Sequence, residues 1–138
     1  MLLNEKRIYV ADDDVNVLDA IATTLEDEGA TVIKGIDGDR LFAAVTFGKP
    51  DLIITDLYMP NSDGFDSIQS IKEFLYEECP ILVITGHPTE ENIRRAEELG
   101  ATECIAKPLK ADKLLATVVR LIEENETGII QVNLASDK

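Results

Sequence analysis

The sequence is short of most residue types that would staple or anchor a fold from outside its core. It has one histidine and two cysteines, Cys79 and Cys104, in 138 residues. That is too few for a disulfide framework or a Cys/His zinc cluster, so a structural metal site of that kind is excluded. No apolar run approaches the ~18 residues of a membrane span, and the opening Met1-Leu2-Leu3-Asn4-Glu5-Lys6-Arg7 does not read as a signal peptide. Basic residues are scarce: 13 Lys and Arg face 27 Asp and Glu, a net charge of −14. Nucleic-acid binding needs a basic patch for the phosphates, so no direct nucleic-acid contact is expected. The dinucleotide fingerprint GxGxxG is absent as well. What is present is 45% hydrophobic and 29% charged residues, ordinary for a globular protein and too apolar for disorder. At about 150 residues per domain the chain makes one domain, long enough to bury a core without a staple. A soluble cytoplasmic domain with no membrane attachment is the expectation.

Short apolar runs alternate with amphipathic stretches. Ile8-Tyr9-Val10-Ala11 reads as a strand, followed by a helix with Val17, Leu18, Ile21 and Leu25 on one face and Gly29 as its stop. Thr31-Val32-Ile33 is a second strand. Leu41, Ala44 and Val45 mark a short helix ending at Gly48. Leu52-Ile53-Ile54-Thr55 is a third strand, and the helix after it carries Ile68, Ile71 and Leu75. Pro80 opens a fourth strand, Ile81-Leu82-Val83-Ile84. A weaker stripe of Ile93, Ala96 and Leu99 stops at Gly100. Cys104-Ile105-Ala106 is the fifth strand, and Ala111, Leu114, Leu115, Val118 and Ile122 share one face of a last helix. After Glu124 the pattern stops. Ile130, Val132 and Leu134 then alternate with polar residues, as an extra strand, a linker or the start of a further domain would; a loosely ordered tail is the default. Five continuously apolar strands alternating with helices predict an α/β fold, an open, doubly wound parallel sheet covered on both faces.

In such a sheet ligands bind beyond the carboxyl ends of the strands. Strand one ends in Asp12-Asp13-Asp14, strand three in Asp56, strand four in Thr85-Gly86 and strand five in Lys107-Pro108. Each alone has a plain explanation: an Asp run caps a helix, a lone Asp makes a turn, and the two dipeptides suit loops. Together they place several carboxylates, one hydroxyl and one ammonium at a single edge. Crowded carboxylates repel unless a cation neutralises them. Mg²⁺ suits the task, since it takes one or two carboxylates, waters and a phosphate oxygen. It would hold Asp56 ionised as a nucleophile, with Lys107 as a further point charge and Thr85 donating to a phosphoryl oxygen.

At these residues the sequence resembles a two-component response-regulator receiver domain. The matching segments are Val10-Ala11-Asp12-Asp13-Asp14, Thr55-Asp56-Leu57-Tyr58-Met59-Pro60 through Asp63-Gly64, Ile84-Thr85-Gly86 and Lys107-Pro108-Leu109. The resemblance covers residues 5–124 as the receiver and leaves 125–138 as a tail or the start of a linker. It implies a flavodoxin-like sheet of strand order 2-1-3-4-5. It further implies that Asp56 is the phosphoacceptor, taking its phosphoryl group from a histidine kinase or phosphotransfer protein. Asp13 and Asp56 would coordinate Mg²⁺ directly, Asp12 through water, and the Tyr58 backbone carbonyl would be another ligand. Thr85 would be the switch hydroxyl and Lys107 the phosphate-binding lysine, with a cis bond to Pro108. Asp14 is read as a helix cap and Gly64 as a turn glycine. The output would lie in a downstream protein or a missing output domain.

One position departs from the family pattern. Three residues before the lysine, where the family has Tyr or Phe as the rotating partner of the switch threonine, stands Cys104, read as a small buried hydrophobe. The phosphorylation chemistry does not need that ring; the usual relay does. Two other functions compete. A haloacid dehalogenase-like, Mg-dependent phosphohydrolase needs a second Asp two residues after its nucleophile, where this chain has Tyr58. A flavodoxin needs a phosphate loop after strand one, and Asp12-Asp13-Asp14 would repel that phosphate. The expected protein is a switch that catalyses only its own phosphorylation and dephosphorylation.

Overall fold

The computed structural model describes residues 1–35, 48–59, 62–75 and 78–128. The predicted short helix around Leu41, Ala44 and Val45 and the alternating stretch Ile130–Leu134 lie outside the described residues. Five strands build one parallel sheet: β1 (Arg7–Ala11), β2 (Thr31–Gly35), β3 (Leu52–Thr55), β6 (Ile81–Thr85) and β7 (Glu103–Ala106). Their spatial order is β2-β1-β3-β6-β7, the 2-1-3-4-5 order expected. Between β3 and β6 lies a small antiparallel ribbon, β4 (Tyr58–Met59) with β5 (Ser62–Asp63), which the sequence pattern did not foretell. Among the described residues the helices are α1 (Val15–Glu26), α2 (Gly64–Ser70, continued by a π turn at Ile71–Leu75), α3 (Glu90–Leu99) and α4 (Ala111–Thr127).

Because side chains alternate along a strand, the sheet separates its apolar residues into two layers. Ile8, Val10, Leu52, Ile54, Leu82 and Ile84 pack with Leu18, Ile21 and Leu25 of α1 and with Leu114, Val118, Leu121 and Ile122 of α4. Tyr9, Ala11, Ile53, Ile81 and Val83 pack with Phe65 and Ile68 of α2 and with Ala96 of α3. Each fully buried Leu, Ile or Val contributes about 1.5–3 kcal/mol relative to exposure. The helices therefore differ in how firmly they are held: α4 buries five residues in the sheet, and α3 buries only Ala96.

Two details of the last helix differ from expectation. Ala111, assigned to its apolar stripe, is exposed: it opens α4 and lines an open groove against α1 instead of the core. The helix also runs past Glu124 to Thr127, and Gly128 ends it in the left-handed conformation, with its N–H donating to the Glu124 carbonyl.

Candidate functional site

Strand register puts the polar residues at one level. Ala11 of β1 lies opposite Thr55 of β3, so the next residues, Asp12 and Asp56, leave the sheet side by side. Thr85 of β6 lies opposite Ala106 of β7, which brings Lys107 beside it. The edge therefore collects residues from four strands.

Lys107 is the hub. Its Nζ donates to Asp56 Oδ2 at 2.7 Å and to Asp12 Oδ2 at 2.9 Å. The other oxygen of each acid is held by backbone: Asp12 Oδ1 accepts from the Asp14 N–H at 2.9 Å, and Asp56 Oδ1 accepts from the Leu57 N–H at 2.7 Å. Both carboxylates are buried, Asp12 at 1% and Asp56 at 6% exposure, while Asp13 is exposed. Burial pushes the Asp12 carboxyl above its ordinary value, against the pull of Lys107 and the Asp14 N–H. For Lys107, burial acts downward, yet its bonds to Asp56 and Asp12 outweigh it and hold the ammonium above its ordinary value. One cation shared by two buried acids explains both directions.

Oxygens of Asp12, Asp13 and Asp56 lie within 4.8 Å of one another. Three carboxylates against one ammonium leave an excess of negative charge that a hard divalent cation would neutralise. The residues present therefore suit Mg²⁺, with oxygen donors only and one open, solvent-facing side at Asp13.

Asp14 takes no part in this cluster. It caps α1, its Oδ1 accepting from the Asn16 and Val17 N–H groups at 2.9 and 3.3 Å. Gly64 matters by close approach: a Cβ there would run into the Asp56 carbonyl oxygen and the Leu57 backbone. Its N–H donates to the Leu57 carbonyl, closing the loop that carries Asp56 and Tyr58. The Lys107–Pro108 bond is cis. Beside Lys107 an open, mainly apolar groove of about 540 Å³ lies between α1 and the start of α4, lined by Val17, Ala20, Ile21, Pro108, Leu109 and Leu114 among others.

Thr85 is fully buried and its Oγ1 accepts the His87 N–H at 2.9 Å. Tyr58 is half exposed, and its ring meets the His87 ring edge-on at 5.0 Å between centroids. A second edge contact joins Tyr58 to Phe65 at 6.5 Å, and Arg95 of α3 lies over Phe65 at 4.1 Å. Spacing along the chain carries no signal for these cross-loop contacts. Cys104 sits in β7, partly buried, opposite Val83. Burial, with Glu97 and Glu103 nearby, pushes its thiol up to about 11; it packs against the core from a partly exposed position and is not the fully buried residue expected.

A profile described as response regulator receiver domain matches residues 8–119. The chain belongs to the response regulator receiver family. The receiver is 33% identical over 132 residues to a protein-glutamate methylesterase/protein-glutamine glutaminase 3 of Geobacter sulfurreducens, covering 94% of this chain and 35% of that protein. It is 32% identical over 118 residues to the nitrogen assimilation regulatory protein NtrX of Azorhizobium caulinodans, covering 84% and 26%. It thus spans roughly a third or less of either relative. Among solved structures, the chemotaxis response regulator CheY4 of Vibrio cholerae superposes with a TM-score of 0.80 at 28% identity, covering 84% of this chain and 98% of that one. A CheY-like receiver domain protein of Methanospirillum hungatei gives 0.85 at 26%, covering 89% and 98%. The receiver is a phosphorelay signalling domain of two-component systems. The phosphohydrolase alternative is not favoured: its second acid is replaced by Tyr58, and the matching profile and the solved structural neighbours are response regulators.

Proposed function

We propose that the receiver, residues 5–124, accepts a phosphoryl group on Asp56 from a phosphohistidine on a histidine kinase or phosphotransfer protein. The observation that carries this is the Lys107 ammonium bridging Asp12 and Asp56 beside a third carboxylate, Asp13. In the transfer an Asp56 oxygen bonds to phosphorus, and the P–N bond to the donor imidazole breaks with its electron pair leaving on nitrogen. Asp13 and Asp56 would hold Mg²⁺ directly, with Asp12 through water and the Tyr58 carbonyl completing the protein ligands. Mg²⁺ supplies neutralisation of the carboxylates and of the incoming phosphoryl charge. Lys107, held protonated, keeps its positive charge beside the accepted group. The Thr85 hydroxyl accepts from His87 and so has its own hydrogen free to donate to a phosphoryl oxygen.

Catalysis by this chain is limited, on this proposal, to its own phosphorylation and dephosphorylation. Output passes to a downstream protein or a separate output domain. The setting is cytoplasmic, away from membrane and nucleic acid: no helix among the described residues is long and apolar enough to cross a membrane, and the net charge is −14.

Intact-mass measurement with acetyl phosphate and Mg²⁺ tests the site. One added phosphoryl group per chain is expected, lost in Asp56→Asn and lost on chelation of the metal. Equal labelling of the Asp56→Asn variant would overturn the assignment.

A further inference from the structure

Cys104 stands where the family has a rotating aromatic residue, so any shift of Thr85 needs another route out of the site. The loop between β6 and α3, Gly86–Thr89, is exposed along its length and buries no side chain that would hold it. It is pinned instead at two points by hydrogen bonds to one residue, His87. At one end the His87 N–H donates to Thr85 Oγ1 at 2.9 Å. At the other the His87 carbonyl accepts the Asn92 side-chain amide at 3.0 Å, together with the Thr89 N–H at 2.9 Å. Asn92 belongs to the first turn of α3, where its own N–H donates to Thr89 Oγ1 at 3.1 Å. The His87 ring meanwhile rests edge-on against Tyr58.

We propose that Asn92 is a positioning residue, and that Thr85, His87 and Asn92 form a hydrogen-bonded clamp that carries the state of Asp56 to the first turn of α3. This rests on Asp56 being the phosphoacceptor. A hydroxyl has one donor hydrogen and two acceptor lone pairs. Thr85 therefore turns toward a phosphoryl oxygen without giving up the His87 N–H. His87 travels with it, and its carbonyl draws the Asn92 amide along. The end that moves is the weakly held one: α3 buries only Ala96, so the free energy of one or two hydrogen bonds suffices to bias its position. Motion of His87 also changes its contact with the Tyr58 ring, so the two loops flanking Asp56 respond together.

The clamp separates from a plain helix-stabilising role through one variant. Asn92→Asp keeps the shape, and its negative charge near the α3 N-terminus favours the helix, but a carboxylate has no hydrogen to donate to the His87 carbonyl. If Asn92 merely stabilised α3, Asn92→Asp would behave as wild type or better. If the clamp operates, it fails as Asn92→Ala does. The measurement is backbone amide shifts on adding beryllofluoride and Mg²⁺, a mimic of the phosphorylated state. Wild type is expected to shift at Thr85, His87 and Glu90–Ile93. In both variants the site is expected to respond as before, while shifts in Glu90–Ile93 fall to less than half, as a roughly five-fold weaker coupling implies. Undiminished α3 shifts in Asn92→Asp would overturn the clamp alone. An absence of any shift around Asp56 in the wild type would overturn the phosphoacceptor assignment and the clamp with it.

Discussion

At the amino end of the sheet Tyr9 donates its hydroxyl to the Gly48 carbonyl at 2.9 Å, and Thr102 Oγ1 accepts the Ile81 N–H at 3.1 Å. The Cys79 thiol lies between the carbonyls of Pro50 and Pro80. At the carboxyl end, by contrast, Asp12 and Asp56 sit buried against a single shared lysine. The first end matches these neutral side-chain groups to backbone partners and, among the described residues, buries no carboxylate. Burial there pushes the Cys79 thiol up to about 12, an inert side chain. The second end concentrates like charges that no arrangement of this chain alone neutralises. Both ends belong to one sheet, so the difference separates the end that serves folding from the end that, on the proposed function, takes an ion and a phosphoryl group.

Lys107→Ala breaks the comparison most severely. It leaves two buried carboxylates without their cation, and the labelling rate with acetyl phosphate is expected to fall by about a hundred-fold, as for loss of a group that stabilises transferring charge. Mass spectrometry over time checks this, alongside circular dichroism to confirm the fold. A labelling rate within a few-fold of wild type would show that the lysine is structural.

Next in size is the lifetime of the phosphorylated state. Hydrolysis needs water in line with the Asp56–phosphorus bond; on the proposed function, the Tyr58 and His87 rings, which meet edge-on, would hinder that approach. Replacing both with smaller polar residues is expected to accelerate dephosphorylation by about tenfold, equivalent to ~1.4 kcal/mol off the barrier. The readout is decay of phosphorylated protein after donor removal at fixed Mg²⁺.

Asp12 sharpens the comparison through pH. Its carboxyl is raised above 3.8 in the folded protein, so the fold binds that proton more tightly than the unfolded chain does. The stability it contributes is full below 3.8 and is lost as pH rises through the folded value. At neutral pH the ionised Asp12 is thus unfavourable in the metal-free protein. Asp12→Asn is expected to raise metal-free stability at pH 7 by about 1 kcal/mol and to reduce the stabilisation that added Mg²⁺ gives. Thermal unfolding with and without Mg²⁺ reads both effects.

The smallest effect tests the other end. Tyr9→Phe removes the bond to Gly48 and is expected to cost about 1 kcal/mol while leaving the labelling rate of Asp56 unchanged. A change in labelling would mean the two ends are coupled.

Most of the sheet was legible in the residues because parallel strands buried on both faces read as unbroken apolar runs. Leu52–Thr55 and Ile81–Thr85 sit where the runs placed them. The ribbon of Tyr58–Met59 with Ser62–Asp63 was not legible, since a two-residue strand has no period to detect. Ala111 was misassigned for a related reason: helical spacing names a face, and only the packing of neighbouring elements decides whether that face is covered. In the site, Asp12, Asp56, Thr85 and Lys107 could be named because each directly follows or ends a strand. The contact between the Tyr58 and His87 rings and the reach of Asn92 to His87 could not, because no local spacing relates one loop to another.

The sequence by itself determined the alternation of strands and helices, the acidic excess and the set of residues delivered to one edge, because those follow from hydrophobic period and from position relative to strand ends. The tertiary structure alone decided that Lys107 bridges two acids, that α3 is the loosely held helix and that His87 joins Thr85 to Asn92. Hydrogen bonds and ion pairs depend on distances of about 3 Å between atoms far apart in the chain, and only the packed strands set those distances.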